Sequence, residues 1–205
     1  MTAGLALAAA AYLFGSIPFG LLLTRALAGV DVRQVGSGNI GATNVGRAAG
    51  PAAGIATLVL DAAKGALPVL AAETLLDPAA AGAGVWPAVA GVAAFLGHLY
   101  PPWLRFRGGK GVATAFGVTL ALSPWVALAA VLVFAVALGA TRIVSVGSLA
   151  AAATCAAGVL FAAGARSPAT WAAAVMAAAV AVRHRANIAR LARGEERRLG
   201  RRRSG

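Results

Sequence analysis

The feature that most constrains this chain is a series of mostly apolar runs, each approaching the ~20 residues that carry a helix across a bilayer. They lie at about 3–24, 51–73, 82–100, 112–123, 124–140, 146–164 and 168–183. The fold class they imply is an all-α integral membrane protein with seven transmembrane helices. Residues 1–205 would form a single membrane-embedded domain, with a basic tail from about residue 185. The chain is 60% hydrophobic and 12% charged, whereas a soluble domain carries roughly twice that share of charge. Only Ser123-Pro124 separates 112–123 from 124–140, so one long kinked span, giving six passes, is the alternative.

Charge decides between them. Of 18 Lys and Arg, three lie between Arg25 and Arg47, three between Arg105 and Lys110, one is Arg142, and nine run from Arg183 to the end. Seven spans with the N-terminus outside put all four groups on the cytoplasmic face, as the positive-inside tendency asks. Six spans would set the basic tail opposite at least one of them. MTAGLALAAA has no basic n-region and does not read as a cleavable signal peptide. The net charge of +12 is then mostly topology, with attraction to anionic headgroups, and a nucleic-acid partner has little support.

Cys155 stands alone, which excludes intrachain disulfides and zinc clusters. Gly82, Gly84, Gly91 and Gly97 have the small-residue spacing of helices packed closely in lipid. Asp61 and Lys64, one turn apart inside the second run, read as an ion pair that neutralises a costly intramembrane charge.

On this topology the polar segments GSGNIGATNVGR, GHLYPPWLRFRGGKG, TRIVS and HRANIAR all face the cytoplasm, while the outer loops look like plain turns. Successive glycines let backbone N–H groups converge on an anion, and a phosphate approaches closest where Cβ is missing. Gly36, Gly38 and Gly41 supply this, with Ser37, Asn39, Thr43 and Asn44 as neutral donors and Arg47 as a fixed charge. Gly108, Gly109 and Lys110 repeat the pattern at the start of a span. Two anion sites are implied. Neither is a nucleotide loop, because Leu104 and Gly111 stand where that motif needs a glycine and a Ser or Thr.

GSIPFG, GSGNIGATNVGR, DAAKG, GHLYP, FRGGKGVAT, TRIVS and HRANI, in this order, resemble the bacterial acyl-phosphate:glycerol-3-phosphate acyltransferase family over about residues 11–195. The resemblance implies a seven-span enzyme of the bacterial plasma membrane with its site facing the cytoplasm. It would move a fatty acyl group from acyl-phosphate to the 1-hydroxyl of glycerol 3-phosphate, the first acylation of phospholipid synthesis. Carried over by motif, Ser37, Gly38, Asn39, Thr43 and Asn44 would hold the acyl-phosphate head. Arg47, Lys110, Ser145, His184 and Asn187 would bind glycerol 3-phosphate, with Gly41, His98, Gly108 and Gly109 completing the substrate-binding set. Ser37, Arg47, Lys110 and Asn187 are expected nearest the reacting atoms. Family members written HRENI carry an acid where this chain has Ala186. No metal or organic cofactor is implied, and nothing in the sequence identifies an enzyme that supplies the donor.

The residues also limit the mechanism. Trp103 and Ala189 stand five residues beyond His98 and His184, so no HxxxxD pair exists. Glu73 and Asp77 would be outside, Asp61 is in a span, Glu195 and Glu196 are in the tail, and only Asp31 lies near the glycine loop. A phosphate oxygen of the substrate is the remaining base, which favours direct attack of the glycerol hydroxyl on the acyl carbon. An organophosphate transporter would share several of these features but should bind near the midplane. A non-catalytic scaffold leaves the polar segments without a purpose.

Overall fold

Pro18 splits the first apolar run. In a computed structural model of the chain, which describes residues 1–77 and 85–200, helix α1 (Thr2–Gly15) ends at Ser16 and α2 (Phe19–Ala28) begins after Pro18. Proline has no N–H to continue the ladder and disfavours helical backbone in the residue before it, so the continuous helix expected over 3–24 becomes two. The break frees the Ile17 carbonyl, and Lys64 Nζ donates to it at 2.8 Å. Lys64 belongs to α4 (Pro51–Leu75), where its Nζ also lies 2.8 Å from Asp61 Oδ1 with both side chains buried. The expected ion pair is therefore present, and it also clamps the broken helix.

The remaining helices are α3 (Ala42–Ala49), α5 (Val85–Leu99), α6 (Val112–Leu122), α7 (Pro124–Thr141), α8 (Val144–Ala163), α9 (Pro168–Arg183) and α10 (Arg185–Ala192), and no strand occurs among the described residues. Ser123, non-helical, separates α6 from α7. The start of the run at 82–100, with Gly82 and Gly84, and the tail beyond residue 200 lie outside the described residues. Among the described residues, four segments are long and apolar enough to cross a membrane: Thr2–Ala28, Pro51–Leu75, Pro124–Thr141 and Val144–Ala163. Val112–Leu122 and Pro168–Arg183 are shorter apolar helices. Large apolar side chains point outward, among them Phe161 at 95% and Trp125 at 82% exposure, as a lipid-facing surface requires.

Small residues bring the helices together. A Cβ on Gly65 of α4 would lie 2.2 Å from the Thr114 carbonyl oxygen of α6, and one on Gly97 of α5 would lie 2.1 Å from that of Tyr12 in α1. A Cβ on Gly91 would meet Val118 at 2.5 Å. The packing read from Gly91 and Gly97 is thus observed. Backbone-to-backbone approach of this kind supplies the dispersion contacts that hold helices together where water provides no driving force.

Two apolar clusters set the position of the site. Val69, Phe95, Leu99, Val118, Met176 and Val180 join α4, α5, α6 and α9. Leu21, Val32, Ile40, Val45, Ala53 and Leu104 seat the segment between α2 and α3 on α4 and on the turn before Arg105. The polar segments are then bonded to one another at one end of the bundle: Arg183 to Gly108 and Gly109, Lys110 to Asn187, Ser145 to Glu196, and Leu199 N–H to the Arg142 carbonyl.

Candidate active site

The glycine loop is shaped from within. Gly36 and Gly38 have φ of +61° and +69°, a left-handed backbone that side chains disfavour. Asn44, buried at the start of α3, reaches back beneath them. Its Nδ2 donates to the carbonyls of Val32, Val35 and Asn39 at 3.0, 2.8 and 2.9 Å, and its Oδ1 accepts from Ser37 N–H at 3.1 Å. Asn39 Oδ1 accepts from Gly41 N–H at 2.8 Å. The amide of Asn44 is thus engaged inside the loop, and its part is to fix the loop's form. Ser37, Gly38, Thr43 and Arg47 are exposed, and Thr43 and Arg47 lie one turn apart on α3, whose N-terminus opens directly after the loop. Asp31, the acid nearest the loop in sequence, is held by Arg33 and Arg25 at 2.6 and 2.9 Å. The hydrogen bond from Arg33 outweighs burial and holds its carboxyl well below the usual range, so it is a poor proton acceptor.

The second loop is strained and pinned. Arg105 and Phe106 both have positive φ, 51° and 60°. Arg183 Nη2 donates to the Gly108 carbonyl at 2.7 Å and its Nε to that of Gly109 at 3.0 Å. Gly109 packs on the His98 ring, where an added Cβ would lie 2.1 Å from Nε2. His98 is buried with its Nδ1 3.7 Å from Asp61 Oδ1, beyond hydrogen-bond length. The structure thus places His98 under the loop, facing the Asp61–Lys64 pair, while Gly108 and Gly109 form the strip that carries Lys110.

Lys110, Ser145 and the pair His184 and Asn187, from three separate stretches of the chain, meet at one place. Lys110 Nζ donates to Asn187 Oδ1, and Asn187 Nδ2 donates to Glu196 Oε1. Ser145 Oγ donates to the same oxygen at 2.9 Å. Burial pulls the Lys110 ammonium down to about 8; Glu196 opposes that shift, while Arg190, Arg183 and Arg47 add to it. Burial takes the His184 imidazole down to about 4, so it is neutral at physiological pH. Its Nδ1 lies 2.8 Å from the Val180 carbonyl, an acceptor-only group, so Nδ1 carries the proton and Nε2 the lone pair.

One cavity lies between the two loops and another near the Lys110 cluster. A cleft of about 660 Å³ has Gly38 and Ile40 from the first loop and Arg105, Arg107 and Gly108 from the second in its wall. An apolar cavity of about 450 Å³ lies among α4, α6, α7, α8 and α9, with Val112, Phe116, Phe134, Cys155, Met176 and Val180 in its lining. Val112 stands two residues from Lys110, and Val180 is the residue whose carbonyl faces His184. A polar, cationic cluster thus adjoins a pocket fit for an alkyl chain.

Residues 5–194 match the glycerol-3-phosphate acyltransferase family. The chain belongs to that family. Glycerol-3-phosphate acyltransferases of Anaeromyxobacter sp. (strain Fw109-5) and Myxococcus xanthus (strain DK1622) are 58% and 55% identical to it, over 96% and 92% of this chain and 96% and 95% of theirs. Among solved structures, PlsY, an integral membrane glycerol 3-phosphate acyltransferase, matches in its glycerol 3-phosphate form with a TM-score of 0.88. The two are 43% identical, over 97% of this chain and 96% of that one. Its lysophosphatidic acid form matches with a TM-score of 0.86 at 42% identity.

Within this glycerol-3-phosphate acyltransferase fold, sequence reasoning missed two groups. Glu196 counts in the sequence only as part of the basic tail, yet its side chain is 8% exposed among Ser145, Asn187 and Arg190, because the tail turns back and Leu199 N–H bonds the Arg142 carbonyl at 2.7 Å. Asp31 is the acid nearest the glycine loop in sequence, and this return of the chain adds a second acid, Glu196, beside Ser145 and Asn187. Arg183 counted only as a basic residue at a span end, yet its fork holds the second loop. No signal in the sequence separates buried Glu196 from its neighbour Glu195, which pairs with Arg193 at the surface.

Proposed function

We propose that the chain catalyses attack of the 1-hydroxyl of glycerol 3-phosphate on the acyl carbon of an acyl-phosphate. A carbon–oxygen bond forms to glycerol, the bond from acyl carbon to phosphate breaks, and the hydroxyl proton passes to a phosphate oxygen. The products are lysophosphatidic acid and inorganic phosphate. The observation that carries this reading is the meeting of Lys110, Ser145, His184 and Asn187 beside an apolar cavity, within the electrostatic reach of Arg47.

In this reading the loop of Ser37, Gly38, Asn39, Gly41 and Thr43 receives the donor phosphate, and the apolar cavity receives its acyl chain. Arg47, Lys110, Ser145, His184 and Asn187 receive glycerol 3-phosphate. Catalysis rests on positioning and on fixed positive charge where negative charge develops. Neither His184 nor Glu196 is a well-matched base. An imidazole with a pKa of about 4 is weakly basic, and hydrogen bonds to Glu196 outweigh burial to keep its carboxyl below the usual range. A substrate phosphate, with a second pKa near ~6, is the better acceptor.

The whole chain acts as one membrane unit with seven spans, its N-terminus outside and its site toward the cytoplasm. In a Cys155→Ala background, cysteines at Ser37 and Ala165 should label from opposite sides; labelling from one side overturns the topology. Purified protein in detergent should form lysophosphatidic acid from acyl-phosphate and glycerol 3-phosphate alone. Transfer from acyl-CoA or acyl-carrier protein, but not from acyl-phosphate, would overturn the choice of donor. Phosphate transport by vesicles holding the protein, without any acyl transfer, would favour the transporter reading.

A further inference from the structure

Two adjacent acids in the tail have opposite fates. The Glu195 side chain is 56% exposed, whereas that of Glu196 is 8% exposed. Burying a carboxylate is costly unless donors surround it, and Glu196 has three. Ser145 Oγ and Asn187 Nδ2 donate to Oε1, and Arg190 Nε donates to Oε2 at 2.6 Å. The backbone brings it there through bonds from Glu195 N–H to the Arg190 carbonyl at 2.9 Å and from Leu199 N–H to the Arg142 carbonyl.

Each of these bonds sets the polarity of a neighbour. A carboxamide can flip end for end, but with Glu196 accepting from Nδ2 and Lys110 donating to Oδ1 only one orientation of Asn187 satisfies both. A serine hydroxyl rotates freely until an acceptor takes its hydrogen bond. Once Glu196 takes it, Ser145 presents lone pairs, and these suit a substrate hydroxyl, which donates, and not a phosphate oxygen, which accepts. The same carboxylate supplies negative charge among Lys110, Arg47, Arg183 and Arg190, beside neutral His184.

We propose that Glu196 is a positioning residue for the acceptor, one that orients Ser145 and Asn187 so that Ser145 receives a glycerol hydroxyl while Lys110 and Arg47 face phosphate. This rests on the reading of that cluster as the glycerol 3-phosphate site. Glu196 is a poor base: burial pushes its carboxyl up, but hydrogen bonds from Asn187, Arg190 and Ser145 outweigh it and keep the group below its usual range.

The test is steady-state kinetics in detergent on Glu196→Ala, Glu196→Gln, Ser145→Ala, Asn187→Ala and the Glu196→Ala/Asn187→Ala pair. Glu196→Ala should raise KM for glycerol 3-phosphate roughly 10- to 100-fold, the worth of a hydrogen bond to a charged group, with KM for acyl-phosphate unchanged. The paired variant should be no worse than the more damaged single one. In Glu196→Gln, which keeps shape and loses charge, the alkaline limb of kcat/KM should move to lower pH because Lys110 loses its neighbouring anion. A parent-like acceptor KM in Glu196→Ala, additive losses in the pair, or an unmoved limb in Glu196→Gln would each overturn the proposal. If Glu196→Ala fails to fold, the limb in Glu196→Gln decides alone. If Ser145→Ala and Asn187→Ala both leave acceptor KM unchanged, the reading of the cluster fails and takes this proposal with it.

Discussion

Lys110 Nζ donates to Asn187 Oδ1 across 77 residues of chain. That bond ties the loop before α6 to α10, and it places the one lysine of the cluster beside Ser145, His184 and Glu196. Arg47 approaches from a third element, α3, close enough to shift the lysine's protonation.

Removal of either cation should therefore weaken catalysis far more than folding. Lys110→Ala and Arg47→Ala are each expected to lower kcat/KM at least ~100-fold, since stabilisation of developing charge is worth about 3 kcal/mol. Thermal unfolding in detergent should show both variants folded. A folded double variant with near-parental turnover would remove both residues from the site.

The pH profile should carry the lysine's signature. A pKa of about 8 means that the Lys110 cation is present below that pH and is lost as pH rises through it. kcat/KM reports ionisations of the free enzyme, so it should fall on the alkaline side from about pH 8. His184, at about 4, is already neutral where the acidic limb of a phosphate near ~6 would appear. His184→Ala should thus lose acceptor affinity and keep that limb. Its disappearance would make the imidazole the base.

Much of this arrangement is legible in the chain itself. Apolar run length gives most of the long helices, and the first glycine-rich segment marks a tight loop because a positive φ at Gly36 and Gly38 leaves few other residues free to stand there. Even the intramembrane Asp61–Lys64 pair follows from spacing. The contacts that escape are made by polar side chains reaching unpaired groups outside their own helix. Nothing local says that Lys64 reaches the Ile17 carbonyl, that Asn44 turns inward to three carbonyls, or that a tail rich in arginine returns to bury Glu196. Each depends on where another segment leaves an unpaired polar group, and hydrophobic periodicity carries no record of that.

Gly109 offers a test of how tightly the second loop is seated. A Cβ there would lie 2.1 Å from His98 Nε2, so Gly109→Ala must displace either the ring or the loop that carries Lys110. Activity should drop ~10-fold or more, as even small misplacements of a positioned group do. His98→Ala makes room, and the double variant should recover part of the loss. Strict additivity of the two changes would show that His98 acts on substrate and not through the loop.

The central claim is direct transfer between two bound substrates, and phosphate release in a single turnover tests it most directly. Purified protein is mixed with acyl-phosphate, and inorganic phosphate is followed with and without glycerol 3-phosphate. The account predicts no phosphate burst without acceptor and, with it, phosphate and lysophosphatidic acid formed in equal amounts. A burst of phosphate in the absence of glycerol 3-phosphate, stoichiometric with enzyme, would reveal an acyl-enzyme and contradict it.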